Sequence, residues 1–247
     1  MSVTASRLLA TIVVAGCCAA ACLSAPACSR AIEGSAVQSS GGASSPLTTT
    51  PAPPRAPTGP VAPLLLAPAD FPHQYPASTL DPNAAGLALR DMRGVPEQAT
   101  VAPATCAPPP LPAVPQDAAV AVGTNASDNS TITVAVLRVP QPLATYKTQL
   151  ERCGSFTFSG PDQTQSTVTA SQAVAPPINA DDSVAVNQTV SPAGTGSGTQ
   201  TTLSLIAQIA DIRIQATYMT FQGIEPDAVL LDQAFTAAVL KVHDNFR

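Results

Sequence analysis

The amino-acid usage breaks at residue 60, and that break limits what the chain can fold into. Between Gly34 and Pro60, 23 of 27 residues are Gly, Ala, Ser, Thr or Pro, with Val37, Gln38, Leu47 and Arg55 the exceptions. Such a segment buries too little apolar surface to offset the entropy of ordering it. All nine aromatic residues and both histidines lie beyond residue 60. The expected organisation is a disordered Ser/Thr/Pro/Ala-rich linker over residues 17–60 and a single folded domain over residues 61–247, a length ample for one core. That domain carries eight basic and fifteen acidic side chains, a net charge of −7. The broad basic stripe that phosphate contacts require is missing, so nucleic acid is not an expected partner.

Ahead of the linker, Arg7 precedes an apolar run from Leu8 to Gly16. A charged start followed by an apolar run too short to cross ~30 Å of hydrocarbon has the layout of a secretory signal. Val14-Ala15-Gly16-Cys17 fits the bacterial lipobox, which makes residues 1–16 a lipoprotein signal peptide and Cys17 the lipidation site. The chemistry needs a thiolate to form the thioether and small preceding residues to admit the peptidase. Cys22 and Cys28 also follow small residues and stay open as acylation positions, as do an ordinary cleaved signal and an uncleaved helix from Leu8 to Leu23. The expected location is extracytoplasmic, on the outer face of the cell membrane, with the N-terminal lipid as the membrane contact.

Two cysteines, Cys106 and Cys153, remain in the domain. In an oxidising compartment an isolated pair reads as a disulfide, with two buried free thiols as the alternative. Neither a Cys-x-x-Cys spacing nor a nearby His accompanies them, so metal ligation is not expected.

The fold class expected is α+β: a mostly antiparallel sheet of about five or six strands with packed helices, including a C-terminal helix, and one disulfide. Residues 61–115 are rich in Pro and read as a wrapping segment of short helical turns. Residues 118–123 and 131–139 read as a hairpin across the turn-forming run 124–130. Pro142 opens a helix in which Leu143, Tyr146, Leu150 and Cys153 share a face and which Gly154 ends. Residues 155–159, 166–173, 184–190, 203–210 and 212–221 are strand-like. Pro226 and Asp227 open the final helix, whose stripe is Leu231, Phe235, Ala238 and Val242. Cys153 lies on the inward face of its helix, so a disulfide would tie that helix to the wrapping segment.

This layout of lipobox, tether, Leu64-Leu65-Leu66-Ala67-Pro68-Ala69-Asp70-Phe71-Pro72, two spaced cysteines, and a terminal strand and helix resembles uncharacterised mycobacterial lipoproteins. More distantly, it is similar to the extracellular sensor domains of mycobacterial Ser/Thr kinases of the PknH type. The resemblance implies a disulfide-stapled module with a cleft that receives a ligand, hence a binding role. Kinase motifs themselves are missing from the sequence.

Motifs for catalysis are sparse. The Gly194-Thr195-Gly196-Ser197-Gly198 run has the wrong phase for a nucleophile elbow and does not fit a phosphate-binding loop. His73 reads as a loop residue and His243 as a helix C-terminal cation. Asp181 and Asp182 fit a solvated turn better than a Ca²⁺ loop. No catalytic, cofactor-binding or metal residue is therefore assigned. The expected function is that of a non-catalytic, lipid-anchored envelope lipoprotein, sensor-like, whose domain binds a small amphipathic ligand or an envelope protein. A cell-wall hydrolase or transferase with dispersed carboxylates is the first alternative, predicting two facing acids and a raised pKa. A purely structural envelope protein is the second.

Overall fold

The computed structural model describes residues 58–161, 163–194, 198–221 and 223–246. Cys17, Cys22, Cys28 and the linker up to residue 57 lie outside the described residues. In chain order the main elements are β1 (Ala77–Thr79), α1 (Pro82–Arg93), β2 (Thr100–Ala102), β3 (Ala118–Thr124), β4 (Thr131–Arg138) and α2 (Leu143–Arg152). They are followed by β5 (Ser155–Ser159), β6 (Gln165–Ala173), β7 (Asp182–Pro192), β8 (Gln200–Ile209), β9 (Ile212–Phe221) and α3 (Ala228–Asp244).

All nine strands join one antiparallel sheet in the order β1-β3-β4-β9-β8-β7-β6-β5-β2. The expectation of five or six strands is therefore too low. Every strand-like segment of the sequence is used, and two three-residue strands, β1 and β2, come from the Pro-rich stretch and cap the two edges. Short edge strands limit the row of unpaired backbone groups that a sheet offers to other chains.

A second correction concerns that same stretch, which holds a regular helix besides short turns. The Asp81-Pro82 pair is the start of α1: Asp81 Oδ1 accepts from Asn83 N at 2.9 Å and Ala84 N at 3.0 Å. Pro82 occupies the first turn, where its missing N–H costs nothing. Gly94, at φ +67°, ends the helix in the left-handed region. Ala85, Leu89 and Met92, at i, i+4 and i+7, supply its buried face.

The two faces of the sheet differ in chemistry. On one, α3 lays Leu231, Ala234, Phe235, Ala238, Val239 and Val242 onto Ile132, Val134, Ile212, Ile214 and Ala216, all buried. Each large side chain removed from water there contributes ~1.5–3 kcal/mol before entropy is counted. Asp227 is the residue that caps α3, accepting from Val229 N and Leu230 N at 3.0 and 3.1 Å, so Pro226 stands just outside the helix. On the other face, α1 covers Ala118, Val120, Ala135 and Leu137, while α2 covers Val184, Val186 and Ile206 through Leu143, Tyr146 and Leu150. The central strands between those two helices carry the polar members of the alternation: Ser204 and Gln208 on β8, Arg213, Gln215 and Thr217 on β9. Register keeps them together, because Arg213 pairs with Gln208 and Thr217 with Ser204.

Candidate functional site

Where α1 and α2 part, the sheet is open to a cleft of about 550 Å³, within the ~300–1,000 Å³ usual for small-molecule sites. One wall is the C-terminal end of α1, with Leu89, Met92 and Arg93; the other is α2, with Tyr146, Gln149 and Leu150. The floor comes from six strands: Leu137, Arg213 and Gln215, Ile206, Gln188, Ala170, and Phe156. A proline strap, Pro108–Pro112 with Leu111 inside it, borders the opening.

The strap is fixed from both sides. Cys106, in the 3-10 turn Ala104–Cys106, is bonded to Cys153 at the C-terminal end of α2, with Cα atoms 5.5 Å apart and both residues buried. Gln149 Nε2 donates to Ala107 O at 2.9 Å, and Arg93 Nη2 donates to Pro108 O at 3.0 Å. Prolines fix φ and lack an N–H, so a strap of this composition keeps its shape without a ladder of its own.

The charged groups at the cleft fall into two kinds. Arg138 sits between two carboxylates, 3.7 Å from Asp117 and 2.6 Å from Asp211, so each of these acids has a cation beside it. Arg213 is different. It is 8% exposed, and no carboxylate of the described residues lies within 4 Å of it. Both of its hydrogen bonds run from Nη2, to Gln141 O at 3.1 Å and Gln208 Oε1 at 3.0 Å, while Nε is buried with no acceptor. The guanidinium carbon lies 5.9 Å from the centre of the Tyr146 ring, inside the ~6 Å reach of cation–π attraction. Burial pulls the Arg213 pKa below the usual guanidinium range, opposed by Tyr146, and burial pushes the Tyr146 phenol up. A guanidinium stays protonated through any such shift at neutral pH, so the floor of the cleft carries a fixed positive charge.

The residues singled out in the sequence stand elsewhere, with one exception. His73 is exposed in a loop, and His243 Nε2 lies 2.9 Å from Asn179 Nδ2 in the last turn of α3. Asp181 Oδ2 accepts from Ala210 N at 2.7 Å, where Ala210 takes a positive φ in the two-residue β8–β9 turn, and Asp182 pairs with Lys147 at 2.8 Å. The exception is the cysteine pair, both members of which line the cleft. Arg213 and the glutamines were passed over because alternation in β9 reads as an ordinary solvent-facing row. The available signal was that β8 and β9 both carry polar residues on one face of their alternation.

The described residues thus form a one-sheet α+β domain with a helix-walled cleft bordered by a disulfide-bonded strap. The model of the family described as Domain of unknown function (DUF5642) matches residues 62–242, and the chain belongs to that family. No curated protein matches it. Among solved structures it is similar to an uncharacterised protein from Mycobacterium smegmatis, the Rv0999 ortholog, at 15% identity and a TM-score of 0.41, over 70% of this chain and 92% of that one. It is also similar to the extracellular domain of PknH from Mycobacterium tuberculosis, at 13% identity and a TM-score of 0.41, over 73% of this chain and 98% of that one.

Proposed function

We propose that this chain is an extracytoplasmic, lipid-anchored protein whose domain binds a small amphipathic molecule in the cleft between α1 and α2 without transforming it. The single observation that carries this reading is the cleft itself: apolar side chains from both helices and the strap surround a floor that holds polar groups. Surfaces of that make-up lower the free energy of a ligand with an apolar body and a few directed polar contacts. A binding role without turnover is supported by the state of the carboxylates. Asp117, at the cleft, is engaged by Arg138, and the carboxyl that burial raises among the described residues, Asp91 on α1, is not part of the cleft lining. Anchoring through Cys17 rests on Val14-Ala15-Gly16-Cys17 and the spacer that follows it.

The test is mass spectrometry of the full-length protein purified from its native membranes, with organic extraction of whatever it retains. The reading predicts a diacylated N-terminal Cys17, a bonded Cys106–Cys153 pair and one retained amphipathic molecule per chain. Turnover of an envelope substrate that disappears on replacing a single polar residue would sink it.

A further inference from the structure

Resting on the reading of the cleft as a ligand site, we infer that its ligand bears an anionic head group, a carboxylate or a phosphate monoester, which binds at Arg213 while its apolar chain lies along the helix and strap side chains. The argument begins with the mismatch between the domain and the cleft. The domain as a whole is acidic, at −7, yet the charge left without a counter-charge at the floor is positive. A buried charge is held at a cost unless it is paired and fully hydrogen-bonded. Arg213 is buried, its Nε has no acceptor, and Nη1 donates to none of the described residues.

Its fixed partners are a backbone carbonyl and an amide oxygen, both neutral acceptors on Nη2. They hold the guanidinium in place against the Tyr146 ring without cancelling its charge. The two nearby acids are drawn off by Arg138, which sits between Asp117 and Asp211. An anion entering the cleft therefore meets a preoriented cation that the protein leaves unsatisfied, in surroundings where water screens it weakly. Arg93, whose Nε is also buried without an acceptor, adds a second cation on the α1 wall. The apolar side chains from Leu89, Met92, Leu111, Leu150 and Phe156 supply the complement to the rest of the ligand.

The experiment is calorimetric titration of the purified full chain at pH 7 with four probes below their micelle thresholds: decanoate, decyl phosphate, decanol and inorganic phosphate. At least one of the two charged amphiphiles is expected to bind about tenfold or more tightly than decanol, the margin of a charge-assisted hydrogen bond. Inorganic phosphate is expected to bind about tenfold or more weakly than the tighter amphiphile, because it lacks the chain. Arg213→Met should bring the charged probes down to the affinity of decanol and leave decanol unchanged, while Arg213→Lys should keep part of the margin.

Decanol binding as tightly as both charged amphiphiles, or an undiminished margin in folded Arg213→Met, would overturn the head-group assignment and leave the cleft reading standing. Failure of decanoate, decyl phosphate and decanol alike to bind the wild-type chain would overturn both, and inorganic phosphate matching the amphiphiles would reduce the site to a simple anion site. Should Arg213→Met not fold, the wild-type Arg213 Nε–H resonance decides: a shift on adding decanoate but not decanol supports the assignment, and its absence with decanoate bound contradicts it.

Discussion

At the scale of single residues, Gly123 on β3 is held by close backbone approach away from the cleft. A Cβ there would lie 2.7 Å from Tyr75 O and 2.9 Å from Tyr75 Cβ, so the chain leading into β1 approaches the sheet closer than any side chain permits. Because the nearest atom is backbone, relief requires moving the segment. Gly123→Ala is expected to destabilise the domain by about 1–3 kcal/mol, measured as a lower urea midpoint with an unchanged slope. Arg213 is constrained in the opposite sense, since nothing around it completes its hydrogen bonding. Neither role was legible in the sequence. A glycine late in a strand and an arginine in a polar/apolar alternation both look ordinary until the opposing chain is in place.

At the scale of elements, the hairpin of β3 and β4, the strands β8 and β9, and helices α2 and α3 were legible because each carries a period that only one secondary structure satisfies. The helix α1 was hidden by the Pro density around it, although Asp81, Pro82 and Gly94 are its start and stop signals. Edge strands of three residues are too short to show a period at all. The strap shows how the elements cooperate. It has no sheet partner at Pro108–Pro112 and is held by the disulfide, by Gln149 and by Arg93. Closing a loop with a sequence separation of 47 contributes about 4 kcal/mol in the chain-entropy account. Replacing Cys106 and Cys153 together by Ala is expected to lower stability by about 2–4 kcal/mol in chemical unfolding, and to speed proteolysis within residues 103–117 first. A cut beginning elsewhere would mean that the strap is held by its packing alone.

At the scale of the whole molecule, one sheet separates a face closed by α3 from a face that α1 and α2 leave partly open, and its ends are fastened by different means. Near β1 the fastening is polar: the hydroxyls of Tyr75 and Tyr218 bond each other and Ser130, whose Oγ donates to Asp128. Burial pushes the Tyr218 phenol up to about 12, the bond from Tyr75 adds to the rise and Ser130 opposes it. Against an unfolded value of ~10, the folded state holds this proton more tightly. The stabilisation is therefore complete below pH ~10 and is lost as pH rises toward 12. Thermal unfolding followed between pH 9 and about 12 should show this decline, and Tyr218→Phe should flatten it. The asymmetry of the two faces carries the functional account: on the open face, greasy walls surround a buried guanidinium, Arg213, that no carboxylate of the described residues pairs. A crystal structure of the chain saturated with the tighter-binding of decanoate and decyl phosphate tests this most directly. The account predicts the alkyl chain between α1 and α2 with its charged head at Arg213; an empty or collapsed cleft with that amphiphile bound on another surface would contradict it.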